Sequence, residues 1–355
     1  MSATWGKKIR YTIFGESHGK GIGITIDGLP PGFSLDLVEI TREMARRAPG
    51  QSQLATARNE KDAFTIYSGF INGKTTGTPL CAIIENSDQR SKDYETMAQK
   101  FRPGHADYSG YIKYNGFNDI RGGGHFSGRL TAPIVFAGAI AKQLLRQENI
   151  EIGSHIQRIA GVREPSFDAV TIEPQLLTHL SQQEFPTIDK ALGIEMQNAI
   201  LAAKSAGDSV GGIIEAVIIN LPPGHGDPFF DSVESTLSHL LFSIPAVKGV
   251  EFGAGFAFAE MKGSIANDAM YSQDGKIKTS TNHNGGILGG ITNGMPLLFR
   301  VAIKPTPSIH LEQCTVDSTG ENTTIVVGGR HDPCILPRAV PVVEAVAAMA
   351  IWDTL

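Results

Sequence analysis

The chain has 355 residues, of which 31 are Lys or Arg and 36 are Asp or Glu, so its formal net charge is −5. Such a nearly neutral chain gives no support to a nucleic-acid binder or to a polybasic membrane protein. Apolar residues make up 41%, which permits a sizeable core. Glycine is over-represented, with 40 residues. This excess predicts many turns with positive φ or close approaches of the backbone to a ligand.

Cysteine content and apolar segments indicate the compartment. The three cysteines are odd in number and show no CxxC spacing. They argue against a disulfide framework or a thiolate metal cluster and favour a reducing cytoplasm. No apolar secretory segment follows the basic residues near the N-terminus, and the longest mostly apolar stretch, Ala132 to Ala141, is far below the ~18 residues of a membrane span. We therefore expect a soluble cytoplasmic protein.

The first half predicts a strand pair, a helix, a second strand pair and a second helix. The assignments rest on apolar periodicity and on the Gly, Pro and Ser residues that begin and end each element. The predicted elements are strands over Lys8–Phe14 and Ile22–Asp27, a helix capped by Ser34 and running to Arg47, strands over Phe64–Phe70 and Leu80–Glu85, polar loops over 86–128, and an apolar helix over Arg129–Arg146.

The second half repeats this order. Leu29–Gly32 recurs as Leu221–Gly224, and Gly69–Leu80 aligns without gaps to Gly286–Leu297 with six of twelve positions identical. The further predicted elements are a strand over Ile150–Val162, a helix over Asp189–Ala206, a strand over Ile213–Asn220, a helix over Asp231–Phe242 and an apolar helix from Arg338 to Trp352. Chance similarity of Gly- and Pro-rich segments is the alternative. The shared order of elements favours an internal duplication with halves of roughly 1–150 and 208–355.

These elements predict an α+β fold. Two copies of the same unit predict two antiparallel sheets related by a pseudo-twofold, and the two very apolar helices need cover on all sides. We therefore expect the long helices to lie between the two sheets. No Ser- or Pro-rich linker interrupts the chain, so we expect one domain over residues 1–355.

Arginine placement is the first functional signal. Twelve of the fifteen arginines lie at or before Arg163, and none lies between 164 and 299. Arg46 and Arg47 end a predicted helix, whereas Arg129 and Arg338 begin one. Two helix N-termini with several guanidinium groups predict a binding site for a polyanion. Solvated surface charges are the alternative for any single arginine.

Two glycine-rich loops are the second signal. Gly122–Gly128 leads directly into the helix at Arg129, so its amides could hold a phosphate or a carboxylate. Gly285–Gly290 could admit a flat ligand close to the backbone. Neither is a GxGxxG fingerprint and no GxxxxGK[ST] occurs, which excludes Rossmann and P-loop interpretations. A plain structural turn remains the alternative for each loop.

Gly15–Gly19 matches the GxSxG pattern of a serine nucleophile. That motif requires a strand, a sharp turn and then a helix, but the residues after Gly19 are typical of a strand. A serine hydrolase using Ser17 is therefore a minor alternative. His18 lies in a turn between predicted strands, where a side chain can face a cleft.

Two further loop histidines lie beside arginines. His105 follows Arg102, and His331 follows Arg330 and precedes Asp332. A histidine next to an anion can serve as the general acid for a leaving phosphate. Metal ligation is the rival interpretation, since H-x-D and H-D pairs occur at metal centres. No HExxH or similar spacing supports it, so we expect no metal.

Together these motifs resemble the chorismate synthase family. They occur in the family's order and are Gly15–Gly19, Arg102–Asp107, Gly285–Gly290, Lys304–Thr306 and Gly329–Cys334. The resemblance covers essentially the whole chain. It implies a β-α-β sandwich, a homotetramer, and the last step of the shikimate pathway, in which 5-enolpyruvylshikimate 3-phosphate loses phosphate by 1,4-anti elimination to give chorismate. It also implies reduced FMN (FMNH2) as a cofactor without net redox change, reduced with NAD(P)H by the protein itself or by an external flavin reductase.

The resemblance also implies roles for individual residues. The catalytic residues would be His105, as the acid for the departing phosphate, His18, near the reduced flavin, and Asp332, assisting proton removal. The substrate-binding residues would be Ser17, Arg46, Arg47, Arg58, Arg102, Arg129 and Arg338. The FMN-binding residues would be His125, Phe126, Ser127, Ala246, Gly289, Lys304, Pro305, Thr306, Pro307, Ser308 and Arg330. Many members have Arg-Ser-Ser at His125–Ser127 and arginine at Gln53.

Two other function classes stay open at this point. A serine hydrolase would need Ser17 as its nucleophile and should react with a fluorophosphonate probe. A flavin-binding protein without catalytic activity would keep the glycine loops but would have no use for an arginine cluster.

Overall fold

The computed structural model describes residues 3–50, 54, 60–86, 99–329 and 331–355. The strands are β1 (Thr4–Trp5), β2 (Arg10–Gly15), β3 (Gly21–Asp27), β4 (Phe64–Ser68), β5 (Phe70–Ile71), β6 (Lys74–Thr75), β7 (Leu80–Glu85), β8 (Glu151–Ile159), β9 (Val162–Arg163), β10 (Gly212–Ile219), β11 (Val247–Phe252), β12 (Met270–Gln273), β13 (Lys276–Thr279), β14 (Ile287–Leu288), β15 (Ile291–Thr292), β16 (Leu297–Ile303), β17 (Gln313–Val316) and β18 (Asn322–Ile325). The α-helices are α1 (Leu37–Arg47), α2 (Asp107–Lys113), α3 (Thr131–Gln147), α4 (Pro174–Ser181), α5 (Lys190–Ser205), α6 (Val233–Leu241), α7 (Gly263–Ala266) and α8 (Leu336–Thr354).

The chain divides into two compact units. Unit 1 comprises Met1–Ala137, Gln197–Gly211 and Pro305–Arg338, and unit 2 comprises Gly138–Met196, Gly212–Lys304 and Ala339–Leu355. The single domain over residues 1–355 stays a prediction.

The main sheet of unit 1 is antiparallel, with strand order β1-β2-β3-β7-β4. Its central strand β3 alternates Gly, Thr and Ile, and Ile22, Ile24 and Ile26 are fully buried. Helix α1 follows, but Asp36 caps it rather than the predicted Ser34. Asp36 Oδ1 accepts hydrogen bonds from Val38 N (2.9 Å) and Glu39 N (3.0 Å), whereas Ser34 forms a β-bridge with Lys74.

The main sheet of unit 2 is antiparallel as well, with strand order β11-β16-β10-β8-β9. Strand β10 pairs with both neighbours, and Glu215 lies opposite Arg300 on β16 and His155 on β8. The register with β8 shifts between Ile213 and Ile214. Helices α3 and α8 approach closely within this unit. A Cβ atom built on Gly138 would lie 2.2 Å from the Cβ of Ala345, so only glycine permits this contact.

The predicted repeat is present as matching local structure. Thr75 Oγ1 accepts from Phe33 N (3.0 Å) and donates to Pro30 O (2.5 Å). Thr292 Oγ1 accepts from His225 N (3.0 Å) and donates to Pro222 O (2.6 Å). The two aligned segments therefore make the same turn, and each ends at the first residue of an interior strand of its own sheet, Leu80 of β7 and Leu297 of β16.

Unit 2 buries a charged cluster inside its sheet. His155 is fully buried, and its Nε2 lies 2.9 Å from Glu215 Oε2 while its Nδ1 hydrogen-bonds Glu164. Glu164 also accepts from the backbone amides of Ile188 (3.1 Å) and Asp189 (2.9 Å). Burial alone would lower the pKa of His155, but the hydrogen bonds with the two carboxylates outweigh it and raise that pKa above its ordinary value.

The region predicted as polar loops over 86–128 contains two helical segments where the structure describes it. Helix α2 lies there, and a 3₁₀ turn covers Arg121–Phe126. Ring contacts hold α2, because Phe101 lies 5.4 Å from Tyr108 and 5.6 Å from Tyr111 between ring centroids. The prediction of loops throughout this region is therefore wrong, since aromatic packing between Phe101 and the tyrosines of α2 overrides its polar composition.

Three findings concern bonds, metals and membranes. Cys81, Cys314 and Cys334 are free thiols. Within the described ranges, no group of three or more His, Cys, Asp or Glu side chains is arranged to hold a metal ion. No helix in the described part of the chain has the length and apolar character needed to cross a bilayer.

Candidate active site

The turn between β2 and β3 presents the first two predicted site residues. Ser17 is fully buried and His18 is 5% exposed. The His18 Nδ1 atom lies 3.3 Å from Ser17 Oγ, and Ser17 N donates to Gly124 O (3.1 Å). Strand β3 follows this turn, whereas a nucleophile elbow requires a helix at that point. The geometry therefore disfavours Ser17 as a hydrolase nucleophile.

The loop Gly122–Gly124 lies against both candidate catalytic histidines. All three glycines have positive φ, at 61°, 86° and 52°. A Cβ built on Gly122 would lie 2.1 Å from the Cε1 and Nδ1 atoms of His18, and one on Gly123 would lie 3.1 Å from the Cε1 and Nε2 atoms of His105. Because these glycines carry no side chains, His18 can pack against Gly122 and His105 against the adjacent Gly123.

His105 belongs to a hydrogen-bonded triad at the start of α2. Its Nδ1 lies 2.7 Å from Asp107 Oδ1, and Arg102 donates to the same carboxylate from Nε (2.7 Å) and NH2 (2.8 Å). Burial alone would raise the pKa of Asp107, but the hydrogen bonds from Arg102 and His105 outweigh it and hold that pKa well below its usual range. The ionised carboxylate therefore orients both partners.

A second cluster joins the end of α1 to the start of α3. The Asp62 carboxylate accepts from Arg47 Nε (2.8 Å) and NH2 through Oδ2, and from Arg129 NH1 through Oδ1. The Arg47 NH1 group also lies 3.4 Å from Thr131 Oγ1. Burial lowers the pKa of Arg47 to about 10, and the nearby Arg338 and Arg129 add to this decrease against the opposing effect of Asp62.

Two residues tie these clusters together. Asn86 accepts from Arg129 Nε (3.0 Å) and donates to Glu16 O (3.0 Å) and Gly19 O (2.9 Å), so it joins Arg129 to the turn that carries His18. Arg338 donates to Arg47 O (3.0 Å) and to Asp332 Oδ2 (2.5 Å). Hydrogen bonds and packing thus link four of the predicted arginines, both histidines and Asp332 within unit 1; these arginines are Arg47, Arg102, Arg129 and Arg338.

The other residues considered for acid–base chemistry or substrate binding make no bond to these two clusters in the hydrogen bonds described below. Arg46 pairs with Glu43 on its own helix (2.9 Å). His331 Nε2 lies 2.9 Å from Gly328 O, and burial lowers the pKa of His331 below its ordinary value. Its neutral form therefore predominates near neutral pH, which does not suit a general acid. Gln53, Arg58 and Arg330 lie outside the described residues.

Unit 1 also contains most residues predicted to bind FMN. His125 Nδ1 lies 3.0 Å from Gly15 O, the ring of Phe126 lies 6.2 Å from that of Tyr114, and Ser127 Oγ accepts from Arg129 N (3.3 Å). The segment Pro305–Ser308 carries a buried hydroxyl, Thr306 Oγ1, with no hydrogen-bond partner among the described residues. An unsatisfied buried hydroxyl fits a site that a polar ligand completes.

The other predicted FMN residues lie in unit 2. Ala246 has a φ of 75°, and its carbonyl accepts from Lys304 N (3.0 Å). A Cβ on Gly289 would meet nothing within 4 Å, so the backbone there is open to a ligand. Burial lowers the pKa of Lys304, and the neighbouring Lys248 adds to the effect. Two close cations suit a phosphate, so this set also fits FMN.

Sequence reasoning missed three residues of the site. Asp107 was visible as part of an H-x-D pair, but its partners are Arg102 and His105 rather than a metal ion. Asp62 and Asn86 gave no local signal. They are separated from Arg129 by 67 and 43 residues in sequence.

Comparison with known proteins gives one consistent answer. The model of the chorismate synthase family matches residues 9–355. Chorismate synthase from Thermococcus kodakarensis is 48% identical over 351 residues, covering 99% of this chain and 96% of the relative. The Pyrococcus abyssi enzyme is 49% identical over 351 residues with the same coverage, and that of Synechococcus elongatus is 45% identical over 360 residues, covering 100% and 97%.

A solved structure extends the likeness to three dimensions. A crystal structure of chorismate synthase superposes with a TM-score of 0.74 at 29% identity, covering 99% of this chain and 92% of the other. The predicted α+β fold class is therefore confirmed, as is the resemblance inferred from the five motifs.

Proposed function

Because the chain belongs to the chorismate synthase family, we propose that it converts 5-enolpyruvylshikimate 3-phosphate into chorismate and inorganic phosphate, the last step of the shikimate pathway. One C–O bond and one C–H bond break in this 1,4-anti elimination, and a second ring double bond forms. The observation that carries the proposal is the network of unit 1, in which buried arginines are linked to two histidines by Asp62, Asn86 and the glycine loop.

The arginines would bind the anionic groups of the substrate. The substrate carries two carboxylates and a phosphate, and guanidinium groups bind such oxygens through paired N–H bonds. Arg47, Arg129 and Arg338 lie close enough that Arg338 and Arg129 lower the pKa of Arg47. An anion bound among them would relieve this repulsion. Arg102, fixed by Asp107 beside His105, would contribute at the phosphate.

His105 would donate the proton that the departing phosphate needs. Its Nδ1 faces Asp107 at 2.7 Å, so Nε2, on the side of Gly123, is the atom that would carry the transferred proton. A positioned general acid of this kind contributes about 10²–10⁴-fold to a rate. Asp107 stays ionised, which keeps the imidazole oriented through the proton transfer.

Reduced FMN would supply electron density transiently as the C–O bond breaks and recover it as the proton leaves, so no net oxidation results. The residues proposed to hold it are those that the resemblance implies, among them Thr306, whose buried hydroxyl has no hydrogen-bond partner among the described residues. His18 would hold a proton beside the flavin. Asp332, paired with Arg338 at 2.5 Å, would be the carboxylate that assists proton removal.

An anaerobic assay tests the proposed reaction. The protein is incubated with 5-enolpyruvylshikimate 3-phosphate and chemically reduced FMN, and chorismate and phosphate are quantified. We expect the two products in equal amounts, and none with oxidised FMN. Absence of chorismate with reduced FMN would overturn the proposal. From the same resemblance we propose a cytoplasmic homotetramer, for which light scattering should give about four times the chain mass of 38.0 kDa.

A further inference from the structure

Asp62 is a buried carboxylate placed between two arginines that the sequence assigned to substrate binding. Its side chain is 0% exposed, and those of Arg47 and Arg129 are 2% and 3% exposed. Each arginine takes a different carboxylate oxygen, Oδ2 for Arg47 and Oδ1 for Arg129. The spacing of the two guanidinium groups is therefore fixed by a single side chain.

The charges around this pair explain why a carboxylate is needed. Two guanidinium groups buried together repel each other and lose their hydration, so they require an internal counter-charge. The other carboxylate near Arg129 is Glu60, whose Oε2 lies 3.4 Å from Arg129 Nε. Only Asp62 bonds both arginines among the described residues. Its pKa is lowered, because Arg47 and Arg129 outweigh the opposing effect of burial, so it is ionised at neutral pH.

Each arginine keeps donors for a ligand while Asp62 holds it. A guanidinium carries five N–H groups. Counting only the described residues, Arg47 uses one N–H each of Nε and NH2 on Asp62 and one of NH1 on Thr131. Arg129 uses Nε on Asn86, one N–H of NH1 on Asp62 and one of NH2 on Glu85 O. Each arginine thus keeps one N–H on NH1 and one on NH2. An anion can therefore bind to the arginine pair without displacing Asp62, which is itself shielded from solvent.

We propose that Asp62 is a positioning residue for substrate binding, which fixes Arg47 and Arg129 at the spacing that the substrate's anionic groups require. This inference rests on the proposed function and deepens it. The alternative is that the Asp62 carboxylate competes with the substrate for the two guanidinium groups and must be displaced before the substrate binds. The two arrangements predict opposite changes in affinity when the carboxylate is neutralised.

The test compares wild type with Asp62→Asn and with Glu344→Gln as a matched control. Asparagine tolerates the φ of 51° at this position, so the backbone is preserved. Glu344 is an equally buried carboxylate in unit 2, which accepts from Ser154 Oγ (2.8 Å) and Lys142 Nζ (2.5 Å). The readouts are the KM for 5-enolpyruvylshikimate 3-phosphate, kcat with saturating reduced FMN, and the melting temperature.

For Asp62→Asn we expect a rise in KM on the order of 10²-fold, with a smaller fall in kcat because Asp62 contacts no reacting atom. For Glu344→Gln we expect a lower melting temperature and a KM within about two-fold of wild type. A KM for Asp62→Asn that is unchanged, or lower than that of wild type, would overturn the inference.

A second comparison, between two further variants, keeps the inference testable if Asp62→Asn does not fold. Arg47→Gln is compared with Arg47→Gln/Asp62→Asn, in which one buried pair is removed as a whole. The double variant should have the higher KM, because Arg129 loses its carboxylate partner, and an equal or lower KM contradicts the inference. If wild type forms no chorismate, the proposed function fails alone, and calorimetry with inorganic phosphate on the same variants then decides whether Asp62→Asn weakens anion binding.

Discussion

The two main sheets share one order of three adjacent strands, β3-β7-β4 in unit 1 and β10-β16-β11 in unit 2, yet they bury charge in different places. The first strand of each set is followed by a helix and, further along the chain, by the turn containing Thr75 or Thr292. The turns also share backbone bonds, with Gly32 N on Thr75 O (2.8 Å) and Gly224 N on Thr292 O (2.9 Å). The identical positions of the repeat are thus the ones that build the turn.

The two units differ in what surrounds their buried charges. In unit 1, Arg47 and Arg129 lie at helix ends, are joined by Asp62, and connect to loops that carry His18 and His105. In unit 2, His155 lies within the sheet, and both of its ring nitrogens are bonded by carboxylates. A charged side chain at a loop or a helix end can contact a ligand. A charged side chain whose hydrogen-bonding atoms are all bonded within the sheet contributes to stability alone. The following predictions test this division.

The largest effect should separate His105 from the buried His155. His105→Ala should lower kcat for chorismate formation by about 10²–10⁴-fold through loss of the proposed general acid. His155→Gln, assayed where both variants are folded, should keep kcat within about two-fold of wild type but lower the melting temperature, because Glu164 and Glu215 lose their cation. Equal losses of kcat in the two variants would erase the distinction between the two units.

A glycine pair should give the next largest effect. Gly122→Ala places a Cβ 2.1 Å from His18 atoms, and the displaced imidazole should reduce kcat/KM on the order of 10²-fold. Gly73→Ala is the control, because its φ of 80° imposes a similar backbone cost while its Cβ would meet nothing within 4 Å. If both variants lose the same activity, backbone strain rather than contact with His18 is responsible.

The shared turn predicts equal effects in the two copies. Thr75→Val and Thr292→Val each remove a hydroxyl that is almost fully buried, at 3% and 4% exposure, and that makes two backbone hydrogen bonds. Each should lower the free energy of unfolding by about 1–3 kcal/mol, measured by denaturant titration. A clear loss in one variant with none in the other would show that the turns are not equivalent.

The smallest effect is a pH dependence from His155. Its pKa is raised in the folded protein, so the stabilisation is complete below the ordinary histidine pKa of about 6.5 and is lost as the pH rises through the raised value. The difference in unfolding free energy between wild type and His155→Gln should therefore shrink as the pH rises above about 6.5. A difference that grows over this range would mean that His155 is buried in its neutral form.

Local patterns in the sequence predicted most of the fold but only part of the site. Strands such as β3 and helices such as α3 and α8 follow from apolar periodicity, which is a property of neighbouring residues. The cap was assigned to Ser34, whose β-bridge partner Lys74 lies 40 residues further on, and the local cap at Asp36 was missed. The helix α2 was missed because its segment is polar and its apolar contacts come from a few aromatic side chains such as Phe101 and Tyr108. The arginines and histidines were found because their chemistry is visible in the residue type. Asp62 was not, because it acts by joining residues at sequence separations of 15 and 67.

The proposed redox-neutral elimination requires that its proposed cofactor, reduced FMN, acts as a catalyst and is not consumed. The most direct measurement is the amount of chorismate formed per reduced FMN by the wild-type protein, without oxygen and with excess 5-enolpyruvylshikimate 3-phosphate. We predict many molecules of chorismate for each reduced FMN, with the flavin still reduced when the substrate is exhausted. One flavin oxidised for each chorismate, or no chorismate at all, would contradict this mechanism.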